Sequence, residues 1–229
     1  MADCHVLDLG RIGYQEALDI QLRIVERMKA TEPDDAVLLL LEHEPVITLG
    51  RSASREHLLV SPEELARRGV ELHESSRGGD ITYHGPGQLV GYPIVRLAAA
   101  RRDVHRFLRG IEATIISALR EFGIEGRRVE GLTGVWVGDA KVAAIGIAFT
   151  RWISYHGFAL NIATDLDAFR LIVPCGIGDK PVTSMARLLG SPPDWAAVEA
   201  AVIGAFLAEF GFHAARHCRT LDDLPATVR

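Results

Sequence analysis

Cysteine is scarce in this chain of 229 residues, and the three present, Cys4, Cys175 and Cys218, form an odd set with no CxxC pair. Neither a disulfide framework nor a thiolate zinc site is expected, so each thiol is judged by its own surroundings. Long apolar runs are missing too: the longest, Ala36 to Leu41, is far too short to cross a bilayer. The first ten residues, MADCHVLDLG, have neither the basic start nor the apolar stretch of a signal peptide, so a cytoplasmic protein without membrane contact is expected. Basic residues are outnumbered, 25 Lys and Arg against 30 Asp and Glu. The net charge of −5 removes nucleic acid from the expected partners unless a local patch opposes it. No Pro/Gly/Ser-rich linker, charge block or internal period divides the chain, and one catalytic domain spanning 1–229 is expected.

What is present is ordinary globular material, 48% apolar and 24% charged, which argues against disorder. Tyr14, Leu18, Leu22, Val25 and Met28 recur at helical spacing over 14–29. Short β-prone runs follow at Ala36–Glu42 and Val46–Leu49, divided by Pro45, and Pro62–Arg68 reads as a brief helix with proline in its first turn. Further strands are expected at Val70–Glu74, Asp80–Tyr83 and Gln88–Val95, then a long helix over 103–122 stopped by Gly123. Gly138-Asp139 is a turn signal joining Gly134–Val137 to Lys141–Phe149 as a hairpin, which Trp152–Ile162 extends. A last helix, Asp194–Phe210, ends at Gly211. Strand runs broken by a few helices, without regular βαβ alternation, predict an α+β fold with a mixed, largely antiparallel sheet flanked by helices.

The most unusual segment runs from Ser76 to Ile94, SRGGDITYHGPGQLVGYPI, with five glycines. Gly78 and Gly79 lack a Cβ that would hold a ligand away, and Gly85-Pro86-Gly87 turns tightly enough to present His84 at a strand end, although a glycine-rich hairpin accounts for the pattern equally well. Cys175 lies in Ile172-Val173-Pro174-Cys175-Gly176-Ile177-Gly178, where proline fixes the approach and glycine frees the exit. Such flanks suit an exposed nucleophile, whereas most lone cysteines are buried small hydrophobes; the local sequence leaves both open. A nucleophilic thiol needs a base or cation beside it, and Lys141, His84 and His156 are the candidates.

Taken together, Arg77–Ile94, Lys141 with Ala144-Ile145-Gly146, Tyr155-His156-Gly157-Phe158-Ala159-Leu160-Asn161, and Pro174–Ile177 followed by Val182-Thr183-Ser184 resemble the lipoyl(octanoyl) transferase family, over nearly the whole chain. The resemblance implies the catalytic-domain fold shared by biotin and lipoate protein ligases, and an octanoyltransferase that needs no metal and no cofactor. Cys175 would accept the acyl group from octanoyl-acyl carrier protein, and Lys141 would lower the thiol's pKa and shuttle protons. Arg77, Gly78, Gly79, Asp80, Ile81, Thr82, Tyr83 and His84 would line the acyl site, with Ala144, Ile145, Gly146, Gly157, Phe158 and Ala159. The acceptor would be a lysine on lipoyl domains of 2-oxoacid dehydrogenase and glycine cleavage proteins.

Three rivals remain at this stage. A lipoate–protein ligase shares the implied fold, but its glycine-rich segment typically reads as three glycines before the strand and His-Asp after it, where this chain has Asp80 and Gly85. A papain-like hydrolase would use Cys175, His84 or His156, and Asn161, but in the wrong chain order. A non-catalytic acyl-binding module would leave Cys175 incidental. For docking an acidic carrier, Arg102, Arg106, Arg109 and Arg120 form one stripe of the long helix, opposite Leu108, Ile111, Ile115, Leu119 and Phe122, although a merely solvated face explains the stripe as well.

Overall fold

The computed structural model describes residues 2–173 and 180–228. In chain order the elements are β1 (Cys4–Ile12), α1 (Tyr14–Thr31), β2 (Ala36–His43), β3 (Val46–Leu49), α2 (Pro62–Arg67), β4 (Glu71–Glu74), β5 (Ile81–His84) and β6 (Gln88–Ile94). There follow α3 (Val104–Glu121), β7 (Arg127–Val129), β8 (Leu132–Val137), β9 (Ala140–Thr150), β10 (Ile153–Asn161), α4 (Met185–Leu189), α5 (Trp195–Phe210) and β11 (Ala215–Cys218).

Eight strands form one sheet in the order β11-β1-β2-β6-β10-β9-β8-β7. β1 runs parallel to both its neighbours, and every other pairing is antiparallel. A second sheet, β4-β3-β5, holds the glycine-rich strand, with β3 parallel to β4 and antiparallel to β5. The mixed, largely antiparallel architecture is the one expected. The division into two sheets was not, and neither were strands β1, β7 and β11.

The run Ala36–Leu41 is apolar at every position because both faces of β2 are covered. Ala36, Leu38 and Leu40 point into a core shared with Ile111, Ile115 and Leu119 of α3 and Val198, Val202 and Phe206 of α5. Val37, Leu39 and Leu41 point the other way, onto Ile20, Ile24 and Met28 of α1. A third apolar cluster, Ile47, Leu65, Ile81, Tyr83, Phe169 and Leu171, holds the small sheet to α2 and to the turn at Leu166–Leu171.

The helix ends follow local chemistry. Asp103 accepts a hydrogen bond from the Arg106 N–H at 3.0 Å, and Asp194 accepts one from the Ala197 N–H at 3.0 Å, each satisfying an otherwise unpaired donor of the first turn. Gly123 (φ +71°) and Gly211 (φ +76°) take the left-handed conformation that ends α3 and α5.

Candidate functional site

The register of β9 on β10 sets Gly146 opposite Gly157 and Ala144 opposite Ala159, a stretch of small residues in the middle of the large sheet. Over it lies a cavity of about 420 Å³. Its walls include Lys141, Ala144, Ile145 and Gly146 from β9, Gly157, Phe158 and Ala159 from β10, and Arg77, Gly79, Asp80, Thr82 and His84 from the glycine-rich segment. Twelve of the residues singled out in the sequence are thus brought together, and the volume lies in the range of small-molecule sites.

Three of the expected lining residues are elsewhere. Ile81 and Tyr83 alternate with Thr82 and His84 along β5 and so face the opposite side, where they join the third apolar cluster and Tyr83 meets Phe169 edge-on. Gly78 anchors the loop instead: its N–H donates to the Ile147 carbonyl at 2.9 Å.

The glycines also answer to something other than close approach of a ligand. A Cβ on Gly146 would come within 2.8 Å of the Gly78 carbonyl oxygen and 3.0 Å of Arg77 Cδ, so this glycine lets the 77–79 loop settle on β9. A Cβ on Gly157 would meet the Gly91 carbonyl oxygen at 2.1 Å, so it is needed for backbone packing against β6.

Arg77 is buried under the cavity. Its Nε donates to Thr48 Oγ1 (3.0 Å), Nη2 to the Thr48 carbonyl (2.7 Å) and Nη1 to the Gly78 carbonyl (3.1 Å). Near this guanidinium stand His84 and His156, with His43 edge-on to His84; all three are buried. Burial, reinforced by His43 and Arg77, pushes the His84 imidazole well below its ordinary pKa. Burial likewise lowers His43 to about 4, and burial with Arg77 lowers His156 to about 3. All three are neutral at physiological pH, so neither His84 nor His156 arrives as a cation.

Hydrogen bonds fix two of these rings. His84 Nδ1 lies 2.8 Å from Gln88 Oε1, and Gln88 Nε2 donates to Asn161 Oδ1 at 2.9 Å. With the amide oriented that way, Nδ1 carries the proton of His84. Asn161 Nδ2 continues to the Thr183 carbonyl at 3.0 Å, so the chain of bonds reaches the segment that follows the Pro174–Ile177 motif. His156, in the left-handed conformation at φ +57°, is held by Ser76 Oγ at 3.0 Å from Nε2 and by Gln21 Oε1, which accepts its N–H at 2.7 Å.

Lys141 opens the site at the start of β9 and is 7% exposed. Its N–H donates to the Pro181 carbonyl and its carbonyl accepts from the Thr183 N–H, both at 2.9 Å. Upstream, the Val173 N–H donates to the His57 carbonyl at 2.8 Å, and the Leu59 N–H to the Leu171 carbonyl at 2.9 Å. Asp80 steadies that edge. One of its carboxylate oxygens accepts the Ile81 N–H at 2.7 Å, and the other lies 2.6 Å from His57 Nδ1 as a charge contact rather than an aligned hydrogen bond. Cys175 itself falls outside the described residues. Of the other thiols, burial pushes Cys4 up to about 12 and also raises Cys218, so neither has thiolate character.

Residues 13–207 match the model of the lipoyl protein ligase A/B catalytic domain. The chain belongs to that family. Among its relatives is an octanoyltransferase of Solibacter usitatus, 52% identical over 189 residues, covering 82% of this chain and 84% of that protein. An octanoyltransferase of Chloroflexus aggregans is 48% identical over 208 residues, covering 90% and 94%. The fold is that of a bipartite lipoate protein ligase of Thermoplasma acidophilum, with a TM-score of 0.78 at 18% identity over 97% of this chain and 89% of that one.

The cavity has further walls that the motifs do not mark. Tyr14, Ser52, Tyr92, Gly131, Leu132 and Thr133 also border the cavity. Tyr14 sits on the helical stripe of α1, and Leu132 and Thr133 open β8. Tyr92 lies within the glycine-rich segment, and its hydroxyl, 2.6 Å from His43 Nε2, meets that ring only through tertiary packing.

Proposed function

We propose that the protein is an octanoyltransferase of protein lipoylation, carrying octanoyl from octanoyl-acyl carrier protein through a thioester on Cys175 to the target lysine of a lipoyl domain. The Cys175 thiolate attacks the carbonyl carbon of the donor thioester, and the bond from that carbon to the carrier's sulfur breaks. The departing sulfur takes up the proton that Cys175 gave up, relayed by Lys141. The amine of the acceptor lysine then attacks the acyl-enzyme. An amide forms, the Cys175 sulfur leaves, and the amine's surplus proton returns to it. Lys141 as an ammonium favours the thiolate of a nearby cysteine, each tenfold change in ionisation being worth about 1.4 kcal/mol.

The observation that carries this reading is the pairing of Lys141 with Pro181 and Thr183. It ties the chain just after the Cys175 motif to the lysine at the edge of the cavity. The names of relatives at about half identity point the same way. The cavity is large enough for an eight-carbon acyl group, and burying six methylenes is worth about 5 kcal/mol at ~0.8 kcal/mol each. That the ligase of Thermoplasma acidophilum is described as part of a lipoylation system with its E2 lipoyl domain agrees with a lipoyl-domain acceptor.

Incubation with octanoyl-acyl carrier protein, followed by intact mass and peptide mapping, tests the reading. One octanoyl group is expected on Cys175 in the parent protein and in Cys4→Ser and Cys218→Ser, and none in Cys175→Ser. An octanoyl group that survives Cys175→Ser on another residue, or equal losses from all three substitutions, would overturn it.

A further inference from the structure

Hairpin β8–β9 sets Trp136 directly opposite Lys141, just past a register shift between Val135 and Trp136. The lysine Nζ stands over the indole, 4.9 Å from the ring centroid. Both side chains are buried, Trp136 to 1% exposure and Lys141 to 7%. Space for the contact comes from Gly134, whose backbone at φ +123° is bonded to Glu112 Oε1 and whose missing Cβ would crowd Ala143 O at 2.6 Å and Lys141 Cε at 3.4 Å.

Two observations argue that the indole is more than filling. Among the described residues Trp136 belongs to none of the three apolar clusters. Its buried Nε1 also finds no hydrogen-bond partner among the described residues, a cost that phenylalanine in the same place would avoid. What tryptophan offers that phenylalanine does not is the most electron-rich face for a cation, and a desolvated cation gains most from it.

We propose that Trp136 is a positioning residue for acyl transfer: its ring face seats the Lys141 ammonium at the cavity edge. The inference deepens the proposed function and rests on its assignment of Lys141. An ammonium on a flexible four-carbon stem gains from every fixed surface that limits its rotamers. The indole supplies an attractive surface below it, at the edge of the cavity.

The test measures the single-turnover rate of acyl-enzyme formation from a small octanoyl thioester, in variants whose folding is checked by near-ultraviolet circular dichroism. Trp136→Leu is expected to slow acylation on the order of tenfold, and Trp136→Phe by less than threefold, since it keeps a weaker π-face. In the Lys141→Met background, Trp136→Leu should have no further effect, because the ring acts only through the lysine. Equal losses in the Phe and Leu variants, or a Leu penalty that persists in full beside Lys141→Met, would overturn the inference. If Lys141→Met alone leaves acylation intact, the parent assignment fails with it, and that single variant identifies the cause. Should Trp136→Leu not fold, fluorinated tryptophans introduced at position 136 preserve the shape while draining the ring of charge. The rate should then fall stepwise with each fluorine, and a flat series would sink the idea.

Discussion

Taking an imidazole out of water penalises its protonated form far more than its neutral one, and His43, His84 and His156 all pay that penalty. Their folded-state pKa values lie below the ordinary 6.5, so between those values and 6.5 the unfolded chain binds more protons than the folded one. The stability they contribute is complete above about pH 6.5 and is lost as pH falls toward 4 for His43 and 3 for His156. Each such histidine adds roughly 1.4 kcal/mol per pH unit to the slope within its window. Denaturant unfolding at pH 6.5 and pH 5, above the range where most carboxylates titrate, should therefore show falling stability. His156→Gln should remove about one proton's worth of that slope. A slope indifferent to the substitution would mean that His156 is not held neutral. Ile81 and Tyr83 carry the lesson at this scale. All four positions of β5 are buried, so alternation divides them into two faces without telling which face meets the cavity.

Among the elements, α3 shows how a pattern can be right about geometry and incomplete about purpose. The expected apolar face is buried on the sheet and α5, and Arg106 and Arg120 are exposed. Arg102 is not on the stripe, since α3 begins at Val104, and it stands 5.6 Å from the Trp152 ring; Arg109 Nη1 donates to Glu112 Oε2 at 2.6 Å. Glu112 is fully buried, shared with Arg128 Nε at 2.9 Å and with the Gly134 N–H at 3.1 Å, so it pins α3 to β8 close to Lys141. Arg109→Glu puts a second carboxylate against this one and should cost roughly 2–4 kcal/mol in denaturant unfolding, whereas Arg106→Glu should stay within about 0.5 kcal/mol. Equal effects would show that the Glu112 network is not what holds the helix. A carrier-docking test is therefore made with Arg106→Glu, which should raise KM for the acyl carrier protein and spare a small thioester. An unchanged KM assigns the stripe to solvation. Helix boundaries and the β8–β9 hairpin were legible because caps, glycine stops and the Gly138-Asp139 turn are local signals. β11 was not: it is a short polar edge strand whose partner, β1, lies some two hundred residues away in sequence, and only tertiary pairing makes it a strand.

For the molecule as a whole, the fold does not choose the chemistry, since the lipoate protein ligase of Thermoplasma acidophilum shares it at 18% identity. On the proposed function, the choice is made by side chains brought to one cavity from two sheets: a lysine at its edge, small residues along its floor, and a neutral polar network beneath. Most of that set was visible in the sequence as motifs. What no motif could supply was their three-dimensional sharing, as when Gly146 makes room for the Gly78 carbonyl. The central claim is that octanoyl passes through Cys175, and a chase experiment tests it most directly. The isolated acyl-enzyme is mixed with lipoyl domain in the absence of ATP, and both proteins are followed by mass. Octanoyl should leave Cys175 and appear on the lipoyl-domain lysine at a rate no slower than steady-state turnover. An acyl-enzyme that does not discharge at that rate, or a lipoyl domain modified only when ATP and free octanoate are supplied, would contradict the account.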